Sequence, residues 1–210
     1  MRFGFKNKKF NTAKKFNNND EYLFNHTDEV NVTDSIVSTV EQVNLPNNLL
    51  NTMTIDTSKE LTSNDIDTLL FMYQEEKLAR DVYTNFEEQY SLRIFENISN
   101  AEQQHINTIE DILIAHEIDI QELQDMEVGE FLNEDLQNLY DDLIEQGSVS
   151  VQEALNCGVV IEEVDIADLN EYLSNEDLNE NLEVVYSNLE NGSQNHLSAF
   201  NAVLDNGFFM

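Results

Sequence analysis

The sequence predicts an all-α fold, a four-helix bundle with a long crossover between its second and third long helices. Three observations predict it. The 210 residues include one proline, six glycines and no tryptophan, so little interrupts helical hydrogen bonding. From Leu61 onward, apolar residues recur three and four positions apart, the spacing of a buried helical stripe. Residues that cap helices stand where those stripes begin.

Positions 1–58 are rich in Asn, Thr and Lys and show no sustained apolar period. They read as a tail, disordered or loosely docked, with 59–210 as the helical domain. Val30 to Leu50 has enough β-branched and apolar positions to pack as a strap. Thr62-Ser63-Asn64-Asp65 supplies the caps and early acid of the first helix, whose stripe is Leu69, Met72/Tyr73, Ala79, Tyr83 and Phe86. A second helix runs from about Phe95 to His116, with Ile98, Ala101, Ile109, Ile112 and Leu113 inward. The long connection that follows contains Gly129 and a short helix around Asp135 to Ile144, which Gly147 ends. Ser150-Val151-Gln152-Glu153 reads as the capping box of a third long helix, reaching about Leu173. Ser174 to Asp177 caps a fourth, with Leu182, Val185, Leu189, Ala199, Phe200 and Val203 on one face and a kink expected at Asn191-Gly192. Four long helices with one long crossover are the connectivity of ferritin-like bundles.

Charge excludes some classes of partner. Six of the ten basic residues (Arg2, Lys6, Lys8, Lys9, Lys14 and Lys15) precede the first acid, Asp20, and the formal net charge is −32. Beyond the basic start, such a surface repels nucleic acid and anionic membranes; it reads first as a solvated acidic surface, with an unspecific attraction of cations as the alternative. No run of about 18 apolar residues exists, so no membrane span is expected. Cys157 is the only cysteine, which excludes a disulfide scaffold and makes the cytoplasm the expected compartment. The basic start, interleaved with Phe3, Phe5, Phe10 and Phe16, ranks first as a simple tail, with an organelle import signal or an arm for an anionic partner as alternatives. Oligomeric state is left open, a homo-oligomer included.

Polar residues interrupt each of the four stripes. Glu76 falls among Leu69, Met72, Ala79 and Tyr83; Glu102 and His105 fall among Ile98, Ile109 and Ile112. Glu162 falls among Leu155, Gly158, Ile166 and Leu169, and His196 among Leu189, Gly192 and Phe200. A buried carboxylate left unpaired is costly, so these residues call for a cation or a dense hydrogen-bond network. Glu-x-x-His puts both donors about one turn apart on one face. Oxygen and imidazole ligation suits iron or manganese better than a thiolate-preferring metal. A Glu-x-x-His pair alone carries little weight in so acidic a chain; the coincidence on four helices carries more. A polar core without metal is the competing reading.

The segment Glu76-Lys77-Leu78-Ala79-Arg80-Asp81-Val82-Tyr83 resembles the Glu-x-x-Ala-Arg-x-x-Tyr segment of rubrerythrin-type ferritin-like proteins. With Ala101 to His105, Ile161 to Leu169 and Gly192 to Phe200, the chain resembles a ferritin-like family, domain of unknown function 2202, over about Leu61 to Leu204. The resemblance implies Glu76, Glu102, His105, Glu162 and His196 as metal ligands, with Asp165 a further one. It departs from the di-iron pattern at Ser193, where a glutamate is expected, so Asp165, Glu163 or water would complete the site. Tyr73 and Tyr83 read first as core packing, with redox-active or hydrogen-bonding groups near the metal as the alternative; Arg80 reads as a partner of surface acids and Cys157 as a small buried hydrophobe.

The expected function is a ferritin-like metal-binding protein, a non-haem iron or manganese oxidase or peroxidase using one or two ions. The alternatives are non-catalytic metal binding or storage, and a metal-free structural or interaction bundle. No phosphate-cradling glycine loop or Cys-x-x-Cys segment is present, so electrons would come from outside the chain.

Overall fold

The computed structural model describes residues 55–206. The tail, strap and import readings for residues up to 54 lie outside the described residues. Six helices follow in order: α1 (Ser63–Tyr90), α2 (Arg93–Ala115), α3 (Gln121–Gln124), α4 (Glu134–Gly147), α5 (Val151–Leu173) and α6 (Glu180–Asp205). Four are long and two belong to the crossover, as the stripes require.

Capping sets the starts. The Thr62 hydroxyl accepts from Asp65 N at 3.1 Å, and the Asp65 carboxylate accepts from Thr62 N at 2.8 Å, a reciprocal box. Ser150 accepts from Glu153 N at 3.2 Å at the start of α5. The expected cap of the last helix is corrected: Ser174 closes α5, and α6 begins at Glu180 behind Asn179. Asp177 N donates to Asn175 Oδ1, so the Ser174–Asp177 run forms a turn between the helices. Several competing cap residues stand in that stretch, and only the burial of Leu182 selects Asn179.

Two apolar clusters make the core. One joins Val82, Tyr83 and Phe86 of α1 to Phe95 and Ile98 of α2, Leu155 and Ile161 of α5 and Phe200 of α6. The other joins Leu69, Met72 and Tyr73 to Ile106, Ile109 and Leu113, Leu169, and Leu182 to Leu189. The order in which each helix meets the clusters makes α1 antiparallel to α2 and α5 antiparallel to α6. Because α2 ends at the second cluster and α5 starts at the first, the connection must return along the bundle. α4 makes that return, packed on α1 and α5.

α1 is enclosed on nearly every side. Leu69 to Ala79 is one unbroken buried run. Glu75-Glu76-Lys77 is therefore no surface run, because α4 and its preceding loop cover what would be the outer face of α1.

Candidate metal centre

Each long helix carries polar side chains near the middle of its length. α1 brings Glu76, α2 Glu102 and His105, α5 Glu162 and Asp165, and α6 Ser193 and His196; all seven are buried. The spacing of three within each helical pair puts both side chains on one face. The layer they form lies between the two apolar clusters.

Glu102 stands at its centre. Its Oε2 lies 2.7 Å from His105 Nδ1 and its Oε1 2.9 Å from His196 Nδ1. Glu76 Oε2 is 3.0 Å from the same His105 nitrogen, and Glu162 Oε2 is 3.6 Å from that of His196. The imidazoles stack with centroids 5.7 Å apart. Two groups result, Glu76–Glu102–His105 and Glu102–Glu162–His196, each with ligand atoms within 4.8 Å of one another. Both could hold a metal ion, and Glu102 belongs to both.

Neighbours hold these side chains in place. The Tyr83 phenol donates to Glu162 Oε1 at 2.6 Å, which leaves Oε2 on the His196 side. The Ser193 hydroxyl donates to Asp165 Oδ2. A Cβ at Gly192 would lie 2.8 Å from His105 Cε1 and Nε2, and one at Gly158 2.6 Å from the Phe200 ring. α6 is unbroken through Gly192, so the glycine makes room for an imidazole where a kink was expected.

Burial weighs against charge on each group, and the neighbours decide the outcome. Burial pushes the Glu76 carboxyl well above the usual range, although His105 pulls the other way. Burial and then Glu102 raise Glu162. Asp165 is pushed up to about 7 by burial, against the Ser193 hydrogen bond. For Glu102 the burial penalty is outweighed by His196 and His105, which hold it well below the usual range. Burial also disfavours both charged imidazoles, yet Glu76 and Glu102 raise His105 well above its ordinary value, and Glu102 and Glu162 raise His196 to about 10.

The residues fit metal ions. Four buried carboxylates (Glu76, Glu102, Glu162 and Asp165) face two imidazoles, and two divalent cations with neutral imidazoles would balance the set. Among the described residues, Glu76 Oε1, Glu102 Oε1, Asp165 Oδ1 and His196 Nδ1 are buried without a hydrogen-bond partner. His196 Nδ1 and Glu102 Oε1 face each other at 2.9 Å as an ion pair, so the buried oxygens left without any partner in the layer are Glu76 Oε1 and Asp165 Oδ1. Atoms bound at about 2.1 Å to one ion, at right angles, stand about 3 Å apart, which is the spacing here.

Five of the six residues picked from the sequence fall in the two triads, and Asp165 lies beside them. Glu163 is exposed, so it is no alternative ligand. Tyr73 donates to Glu110 at 3.2 Å and takes no part in the triads. Arg80 pairs with buried Asp81 at 2.7 Å and donates to Gln103, a correction to the expected surface acids. Cys157 is a buried small side chain whose thiol burial pushes up to about 12. The sequence ranks core packing first for Tyr83 and hydrogen bonding beside the centre second; Tyr83 does both, and its position seven residues after Glu76, two turns along the same face, is the signal for the second.

Over the described residues, fold and site together define an all-helical domain with two adjoining buried carboxylate–imidazole groups that could hold metal. The chain belongs to the DUF2202 family, whose model, described as an uncharacterized protein domain, matches residues 65–208. It is 38% identical over 146 residues to the uncharacterized protein MJ0754 of Methanocaldococcus jannaschii, covering 70% of this chain and 78% of the relative. It is also similar to the crystal structure of hypothetical protein MJ0754 from Methanococcus jannaschii, at a TM-score of 0.66 and 37% identity, covering 70% of this chain and 83% of that one.

Proposed function

We propose that this is a ferritin-like metal-binding protein whose centre takes one or two iron or manganese ions, which Glu102 would help to hold in both triads, and reacts with dioxygen or peroxide. The observation that carries the reading is the sharing of Glu102 between two buried triads, each with its own imidazole. The antiparallel helix pairs and the crossover that runs the length of the bundle support the ferritin-like assignment. Oxygen and nitrogen ligands without thiolate favour iron or manganese.

Iron or manganese bound there would supply one-electron chemistry toward an oxidant. The chain's own residues do the rest. Glu76 and Glu162 would cap the two ions from α1 and α5, and His105 and His196 would each present Nδ1. Tyr83 keeps Glu162 turned toward His196 and holds a proton 2.6 Å from that carboxylate. The apolar clusters on either side exclude water. A cavity of about 20 Å³, room for about one water-sized molecule, lies beside Glu76, Glu102 and Glu162 under Leu136 and Leu139 of α4.

Metal binding without turnover is the second reading, favoured by the acidic composition that concentrates cations. Metal analysis of protein purified without chelator tests both readings. Iron or manganese should copurify, and either ion should raise the melting temperature of stripped protein. Failure on both counts ends the metal reading. Peroxide consumption by iron-loaded protein, lost in a Glu102→Ala/His105→Ala variant, would favour turnover; no consumption by either would favour storage.

A further inference from the structure

The two halves of the centre are built alike, with one exception. α1 and α5 each supply a glutamate, Glu76 and Glu162. α2 and α6 each supply a histidine, His105 and His196, preceded three positions earlier by a buried polar residue. On α2 that residue is Glu102; on α6 it is Ser193, whose hydroxyl is too short to serve as a bridging carboxylate. The Glu102–Glu162–His196 group therefore lacks a carboxylate on the α6 side.

We propose that Asp165 supplies the carboxylate that α6 lacks, reaching from α5 across to Ser193, and that the centre keeps its second ion only with it. The proposal rests on the reading of the triads as metal sites. Asp165 follows Glu162 by three residues, so both leave α5 on the same face. It is 92% buried, from a relative exposure of 8%. Its Oδ2 is held by the Ser193 hydroxyl, which also lies 3.0 Å from Leu189 O. Its Oδ1 is buried without a hydrogen-bond partner among the described residues. Asp165 lines the same small cavity as Glu76, Glu102 and Glu162, so its side chain stands in the layer of those carboxylates. One oxygen anchored and one unsatisfied is the arrangement of a ligand carboxylate fixed by an outer-shell hydrogen bond. The serine at 193 and the aspartate at 165 are thus two parts of one exchange: a glutamate on α6 would compete with Asp165 for the same space. The resulting centre is asymmetric, with two carboxylates from α5, one from α1, none from α6, and Glu102 of α2 shared between the two triads.

The test is stoichiometry. Chelator-stripped full chain is titrated with manganese(II) by calorimetry, and bound metal is counted after desalting. The unaltered chain should take two ions. Asp165→Asn, which matches the aspartate in size, should keep helical content and retain one ion. The double variant Asp165→Asn/Ser193→Glu, which puts the carboxylate on α6, should regain the second ion, whereas it would not restore a purely structural hydrogen bond between Asp165 and Ser193. Ser193→Ala should weaken the second ion about tenfold with the first unchanged. Two ions bound by Asp165→Asn with affinities within about threefold of the unaltered chain would overturn the proposal and leave the metal reading standing. An unaltered chain that binds no manganese and no iron would overturn that reading itself.

Discussion

Glu102 and Tyr83 show how single side chains decide what this core can do. A lone carboxylate at the depth of Glu102 costs several kcal/mol, and two imidazoles offset that cost by holding it ionised. Tyr83 acts on the neighbouring carboxylate. Its ring packs against Phe95 and Phe200 with centroids 6.2 Å and 5.3 Å away, while its hydroxyl fixes Glu162. Tyr83→Phe keeps the ring and removes the hydrogen bond. Metal affinity should fall about 10–100-fold, while the stripped protein loses about 1 kcal/mol. Competition with a chromophoric chelator reads the first quantity and denaturant unfolding the second. Unchanged affinity would reduce Tyr83 to packing. The glutamates and histidines were legible in the sequence because they interrupt apolar stripes. The aim of Tyr83 was not, because an aromatic in a stripe looks the same with or without a polar partner.

At the scale of elements, α1 organises the molecule. Its polar residues outside the centre grip the connection between α3 and α4. Gln74 Oε1 accepts from Leu132 N at 2.8 Å and from Asn133 N at 3.0 Å. Lys77 Nζ donates to Asp81 at 2.6 Å, to Glu127 O at 2.7 Å and to Glu130 O at 3.1 Å, with the Phe131 ring 4.6 Å away. Gly129 N donates to Asp81 Oδ2, and its φ of +80° is a conformation that favours glycine. Lys77→Met removes the cation and leaves Asp81 with Arg80 alone as a charged partner. A loss of about 3 kcal/mol is expected, at the low end for a broken buried pair. Limited proteolysis should then cut within residues 125–133 before any helix. An uncut connection at equal stability would show that Lys77 does not hold it. The capping box at Thr62 was legible in the sequence. This clasp was not, because backbone carbonyls carry no residue identity.

For the molecule as a whole, pH and metal occupancy are linked. Asp165 titrates near 7 in the fold against an ordinary value of 3.8, and Glu76 is raised in the same direction. A group raised by folding adds stability below its unfolded value and loses it as pH rises through the folded one. The metal-free protein should therefore weaken from about pH 4 to about pH 7, and again as His196 approaches about 10. Glu102 acts oppositely: it stabilises above its ordinary value and loses that effect progressively as pH falls below it. Metal displaces the bound protons, so affinity should rise over the same range. The melting-temperature gap between loaded and stripped protein should widen from about pH 5.5 to about pH 8 by calorimetry. A gap that stays constant would mean that metal binds without displacing these protons.

The sequence by itself determined the helical class, the long crossover, the caps at Thr62 and Ser150, and the four helices that carry inward polar residues. Periodicity and capping are local, so one chain suffices to read them. Tertiary structure decided how those residues meet. It put Glu102 between both histidines, turned Asp165 toward Ser193 rather than solvent, and buried the whole Glu75–Lys77 run beneath the crossover. Each outcome depends on which helix lies opposite, and spacing along one chain does not encode that distance.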